Sequence, residues 1–180
     1  INFLSILPPQ SLHSTPVYPN HLHMYIILDT ETSSLHPGQI GQLSYIIADE
    51  KYEPICAKNF FFTVESMSPG AEQVHGFARE KLYALSNGRV FKDHMKEIHD
   101  DIKKNILIAH NATFDIKFLK AEFERCNLVC KPKDIQCSMK YFTNICCIPA
   151  NSTRGGYKRP KVAELLQYFR IEGKKVDATT

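Results

Sequence analysis

Apolar and polar positions alternate unevenly along the chain, and that unevenness predicts its elements. From Met24 the run Tyr25-Ile26-Ile27-Leu28 is continuously apolar and ends at Asp29, the pattern of a central strand covered on both faces. After a turn signal at Pro37-Gly38, Gln42 to Ala48 and Ile55 to Val64 read as two further strands in meander order, joined by a polar turn near Asp49-Glu50. Ser68-Pro69-Gly70 breaks the chain, and Ala78 to Leu85 predicts a short helix closed by Asn87-Gly88. Phe91, Met95, Ile98 and Ile102 recur at helical spacing and should lay one face on the sheet. Ile106 to Ala109 is a brief strand, and a strong helix follows from Phe114 to about Asn127. Its stripe is Ile116, Leu119, Phe123 and Cys126, with Lys117, Lys120, Glu122 and Glu124 mostly outside it. A loop-rich stretch then leads to an amphipathic helix carrying Val162, Leu165, Leu166 and Phe169, ended or interrupted near Gly173. This order predicts one α/β domain over 24–180, a mixed central sheet of three antiparallel strands followed by parallel strands, flanked by helices.

Residues 1–23 stand apart, because they hold no Asp, Glu, Lys or Arg and include Pro8, Pro9, Pro16 and Pro19. They are expected to be a tail or upstream remnant outside the domain, and the apolar stretch Phe3 to Leu7 lacks the basic flank of a signal peptide. No apolar run approaches the roughly 20 residues that span a bilayer. The 43% hydrophobic and 23% charged residues argue against disorder. A net charge of +3 permits contact with nucleic acid without demanding it. Six cysteines without a CxxC pair suit a reduced, cytoplasmic setting, with a zinc site from Cys126, Cys130 and Cys137 as a minor alternative.

The candidate chemistry lies at two element ends. Asp29 and Glu31 are one residue apart on an extended backbone, so both carboxylates point to one face and could share a cation. An isolated Asp-x-Glu is ordinarily only a solvated strand end. Asp115 falls in the first turn of the helix after Ile106–Ala109, where the positive end of the helix dipole favours an ionised acid and the side chain can face the first strand. Taken alone, it would be read as a cap.

Together, Leu28-Asp29-Thr30-Glu31-Thr32 and Ala109-His110-Asn111-Ala112-Thr113-Phe114-Asp115-Ile116-Lys117-Phe118-Leu119 resemble the first and second motifs of the DnaQ-like 3′→5′ exonucleases. Val74-His75-Gly76-Phe77 resembles the His-Gly-Ile segment of that family, and the order of all three agrees. The resemblance covers roughly 24–170 and includes the proofreading subunits of bacterial replicative polymerases. It implies a ribonuclease H-like fold and a pair of divalent ions, Mg²⁺ or Mn²⁺, held by Asp29, Glu31 and Asp115. It further implies substrate contacts from Thr30, Thr32, His75, Asn111 and Phe114, a single-stranded DNA 3′ end as substrate, nucleoside 5′-monophosphate as product, and a DNA polymerase as a possible partner.

The family pattern also requires a third motif after the last helix, His-x₄-Asp or Tyr-x₃-Asp, and none is found there. The His with an Asp five residues on is His110 with Asp115, already in the second motif. Val176-Asp177-Ala178-Thr179-Thr180 resembles the approach to such a motif with Val176 in the histidine position. The domain is therefore expected to be C-terminally truncated or degenerate, and weak or inactive as this polypeptide. His94, His99, Asp100 and Asp101 are expected on a solvated helix face. Arg154, Lys158, Arg159 and Lys161, interleaved with Gly155, Gly156 and Tyr157, suit a loop touching a nucleic-acid backbone, although such runs are more often plain surface. Two other functions stay open: trimming of RNA 3′ ends, and a non-catalytic domain that binds nucleic acid or a partner.

Overall fold

The computed structural model describes residues 24–35, 38–151 and 155–171. The tail 1–23, Pro37, Arg154, Gly173 and the 176–180 segment, each given a role above, lie outside the described residues. Five strands form one sheet in the order β3-β2-β1-β4-β5, with β1 at Tyr25–Thr32, β2 at Ile40–Ala48, β3 at Pro54–Phe61, β4 at Ile106–Ala109 and β5 at Asp134–Cys137. β1 pairs antiparallel with β2, and β2 with β3, whereas β1–β4 and β4–β5 are parallel. The expected mixed sheet is thus present. Strands β4 and β5 end level with Leu28, with Leu28 opposite Ala109 and Ala109 opposite Cys137, while β1 runs on to Thr32.

Alternation along β1 divides the sheet into two unlike faces. Ile26, Leu28, Thr30 and Thr32 are buried, while Tyr25, Ile27, Asp29 and Glu31 are more open. The buried face continues into Leu43, Tyr45 and Ile47 of β2 and Leu107 of β4. Helices α3 (Phe91–Lys104) and α4 (Ala112–Arg125) contribute Phe91, Ile98, Ile102, Leu119 and Phe123 to the same cluster. Each fully buried side chain of this kind stabilises the fold by about 1.5–3 kcal/mol relative to exposure.

Several sequence expectations are corrected. Ser68-Pro69-Gly70 starts a helix, α1 (Pro69–His75): Ser68 caps the N–H of Ala71 at 3.2 Å, Pro69 occupies the first turn, and Gly76 closes it at φ 75°. Helix α2 (Arg79–Ser86) ends as expected, with Asn87 and Gly88 both left-handed. The loop-rich stretch contains β5 and α5 (Ser138–Cys146), and the last helix, α6, is Val162–Tyr168. Nor is the α3 cluster simply solvated. Asp101 accepts from the Tyr45 hydroxyl at 2.9 Å and pairs with Lys58 at 2.6 Å, while His94 packs against Phe60 and Phe62 and His99 against Phe123. Only Asp100, paired with Lys96 and Lys103, behaves as surface charge.

Candidate active site

Two acids on β1, Asp29 and Glu31, and one on α4, Asp115, lie on adjoining elements, with Asp29 near enough to raise the carboxyl of each of the others. Asp29 and Glu31 lie on the open face of β1, beyond the last paired residue of β4, as extended geometry requires. The chain turns from β4 into α4 at Asn111, whose φ of 71° is one that asparagine tolerates better than most side chains. That turn sets Asp115 in the first turn of α4, 3% exposed, with its Oδ1 accepting the Thr30 hydroxyl at 2.9 Å. A side chain on the buried face of β1 thereby fixes an acid on the neighbouring helix.

The electrostatics of the group are those of crowded negative charge. Burial raises the Asp115 carboxyl to about 7 against the opposing pull of the Thr30 hydroxyl, and Asp29 raises it further. Glu31 is also pushed up to about 7, by burial and then by Asp29. Asp29 is raised by burial, with the Thr30 backbone and His110 acting the other way. Asp29 is open to water by surface area, yet enough protein surrounds it to desolvate it, because it lies on a concave part of the surface. Asp29 therefore acts on both other acids, and among the described residues no Lys, Arg or His forms an ion pair with any of the three. Uncompensated carboxylate oxygens in partial burial form a donor set suited to a hard divalent cation. As they stand, however, no three His, Cys, Asp or Glu side chains among the described residues are gathered to hold one ion, and this includes the three cysteines considered for zinc.

The remaining sequence candidates fall nearby in different states. Thr30 spends its hydroxyl on Asp115, and Thr32 spends its own on the Ser34 carbonyl at 3.0 Å. His75 lies against the end of β1: its Nε2 is 3.2 Å from the Thr32 carbonyl, and its Nδ1 accepts the Phe77 N–H at 3.1 Å. Nδ1 as acceptor implies the neutral ring with Nε2–H donating. Asn111 stands at the start of α4 without capping it, and Phe114 packs its ring on Phe118, 4.8 Å between centroids. In the basic stretch, Lys158 is paired with Glu164, leaving Arg159 and Lys161 exposed. Tyr25 with Asp29 and Tyr45 with Asp49 have Tyr-x₃-Asp spacing, but both lie on the first two strands. There Tyr25 stacks on Tyr52 and Tyr45 bonds Asp101.

Sequence reasoning missed two supports of the site. Glu122, expected outside the helix stripe, is 4% exposed; it accepts the Ile40 N–H at 2.9 Å and pairs with Arg125 at 2.9 Å. Arg125 also donates to the Gly38 carbonyl at 3.0 Å, so α4 is clasped to the segment that follows β1. His110 bridges the Ser138 hydroxyl at 3.1 Å and the Pro160 carbonyl at 2.9 Å, tying α5 and the approach to α6 to the end of β4. Beneath α5 and α6 lies a largely apolar cavity of about 340 Å³, with Ile27, Ile46, Ile108, Leu165, Asp29 and His110 among its walls.

A family model described as Exonuclease, RNase_T, matches residues 26–176. The chain belongs to this exonuclease family. The DnaQ-like resemblance is thereby established at the level of the exonuclease family. Two relatives are DNA polymerase III epsilon subunits. That of Buchnera aphidicola is 31% identical over 110 residues, 57% of this chain and 45% of the relative. That of Rickettsia felis is 38% identical over 101 residues, 54% of this chain and 43% of the relative. The chain thus spans under half the length of these relatives. Escherichia coli exonuclease I in complex with a dA16 oligonucleotide has the same fold, with a TM-score of 0.69 at 17% identity over 84% of this chain and 37% of that one. The fold of the exonuclease domain is ribonuclease H-like. Among the described residues no helix is long and apolar enough to cross a membrane, and none of the six cysteines forms a disulfide.

Proposed function

We propose that this exonuclease domain removes nucleotides from the 3′ end of single-stranded DNA, releasing nucleoside 5′-monophosphates, with Asp29, Glu31 and Asp115 as the residues that hold its divalent ions. The observation carrying this reading is the 2.9 Å hydrogen bond from the Thr30 hydroxyl to Asp115, which ties the acid of α4 to the strand bearing Asp29 and Glu31, with Asp29 raising the proton affinity of each of the other two. Mg²⁺ or Mn²⁺ bound by these oxygens would ready a water for in-line attack and stabilise the leaving 3′-oxygen. The chain's own residues orient the acids. The Thr30 hydroxyl holds Asp115 in one rotamer, and the Glu122–Arg125 clasp fixes the helix that carries it. The apolar cavity beside Asp29 is of a size suited to a small ligand group and is available to the terminal nucleoside. Asn111 and the main chain at Thr30, Thr32 and His75 are the candidates for holding its sugar and phosphate.

DNA is favoured over RNA because the epsilon subunits among the relatives are named for a DNA polymerase. A polymerase is a candidate partner on the same ground. No His-x₄-Asp or Tyr-x₃-Asp follows Asp115 in these 180 residues. General-base assistance is typically worth about 10²–10⁴ in rate, so turnover by this polypeptide is expected to be slow or absent. The test is mononucleotide release from end-labelled DNA and RNA strands of one sequence with Mn²⁺. Slow release from DNA that disappears in Asp29→Asn supports the reading. Release from RNA alone, or release that survives Asp29→Asn, contradicts it.

A further inference from the structure

A groove of about 690 Å³ runs between α4 on one side and β5 with the start of α5 on the other. Lys117, Lys120 and Lys140 line it, all exposed, and among the described residues none of the three forms an ion pair. Glu124 is the single acid on its walls. In the basic stretch before α6, Lys158 is already neutralised by Glu164, whereas Arg159 and Lys161 are exposed but are not among the groove's lining residues. The groove begins at Thr113 and Cys137, where the first turns of α4 and α5 converge: backbone N–H groups of Lys140, Ala112, Asn111 and Met139 all face the Cys137 sulfur. Two positive helix ends therefore add to three ammonium groups at the mouth.

The sheet sets this mouth near the acids. Leu28, Ala109 and Cys137 are level across β1, β4 and β5, so Asp29 lies one residue beyond a line that reaches Cys137 two strands away. At the usual strand spacing that is about 10 Å. We infer that this groove carries the phosphate backbone of the single strand whose 3′ end is held at Asp29, Glu31 and Asp115. The inference rests on the exonuclease reading above and adds the path of the strand behind its terminal nucleotide. Unpaired lysines along a helix adjoining a negatively charged site separate two tasks: the acids need cations to accept phosphate, whereas the groove attracts it directly.

The experiment is fluorescence anisotropy of a labelled oligothymidylate in EDTA, across a salt series, with the 180-residue chain. Lys117→Gln, Lys120→Gln and Lys140→Gln are combined in one protein. Lys51→Gln, Lys92→Gln and Lys104→Gln, three unpaired lysines elsewhere, are combined in a control of equal net charge. The groove variant should bind about tenfold more weakly at low salt. Its log–log salt slope should flatten by about 2, at roughly 0.7 per phosphate contact on a single strand. The control should stay within about twofold of the parent. Equal losses in both variants would mean that binding follows net charge and would overturn the inference. So would a groove variant that keeps the strand but loses a poly-glutamate peptide, which would assign the groove to an acidic protein segment. Mn²⁺ uptake measured on the same proteins separates the two levels of the account. Unchanged uptake with an unaltered salt slope removes the groove alone, while a parent chain that binds no strand removes the groove and the substrate reading together.

Discussion

Replacing Asp115 with Asn should make the metal-free protein more stable at alkaline pH while removing its response to divalent ions. Asp115 is 3% exposed, and its carboxyl has moved from the ordinary 3.8 to about 7. Its folded-state value therefore lies above its unfolded one. The stability this group contributes is complete below about pH 4 and is lost as pH rises through 7. Between pH 5 and the folded value near 7 the loss is about 3 kcal/mol, at 1.36 kcal/mol per pH unit. Asparagine keeps an Oδ1 that can accept the Thr30 hydroxyl and has no proton to lose, so it escapes that dependence. Urea unfolding of parent and variant in EDTA at pH 5 and pH 8 is the assay. The stability gap in favour of Asp115→Asn should widen by about 3 kcal/mol at the higher pH. Asp29 and Glu31 are present in both proteins, so the difference reports position 115 together with its coupling to Asp29. Adding Mn²⁺ at 100 times its dissociation constant should then stabilise the parent by about 2.7 kcal/mol and the variant hardly at all. A gap that is constant or narrows with pH would refute the claim that a charge at this position is held against desolvation.

Other consequences can be checked with the same equipment. Thr30→Val removes the hydroxyl that opposes the rise of the Asp115 carboxyl, so the pH at which metal-free stability falls should move upward in urea titrations. Glu122→Ala leaves the buried Ile40 N–H without its acceptor, and a loss of about 1–3 kcal/mol is expected from chemical denaturation. Gly41→Ala would bring a Cβ to 2.7 Å from Cδ1 of the fully buried Leu82. Overpacking of that kind costs about 1–3 kcal/mol and should lower the melting temperature without altering Mn²⁺ uptake.

How much of this was legible in the chain depends on the range of the interactions involved. The first strand and the helices α3 and α4 were readable because period and cap are local properties. The order Leu28-Asp29-Thr30-Glu31-Thr32 carries its own alternation, and the structure keeps it. Glu122 was misplaced because its partner, the Ile40 N–H, is 82 residues away in sequence and nothing near Glu122 announces it. Asp101 was misread for the same reason, its partners Tyr45 and Lys58 coming from strands on the far side of α1 and α2. The Ser68-Pro69-Gly70 segment failed differently: its residues signal both a break and a helix start, and the Ser68 cap with Pro69 in the first turn resolved the choice. Strand β5 has four residues, with Asp134 and Gln136 exposed, and owes its form to pairing with β4 rather than to composition. The basic groove is a product of topology, since Lys117, Lys120 and Lys140 belong to two helices that only the order β1-β4-β5 brings together.

Asp29, Glu31 and Asp115 are proposed to act as one cation-binding unit. Calorimetric titration of Mn²⁺ at pH 8 into the parent chain and into Asp29→Asn, Glu31→Gln and Asp115→Asn tests it most directly. Saturable uptake by the parent is expected, accompanied by proton release visible as a buffer-dependent heat, because binding draws the raised carboxyls into their ionised form. Each substitution should weaken uptake at least tenfold. Equal uptake by the parent and all three variants, or none by the parent, would contradict it.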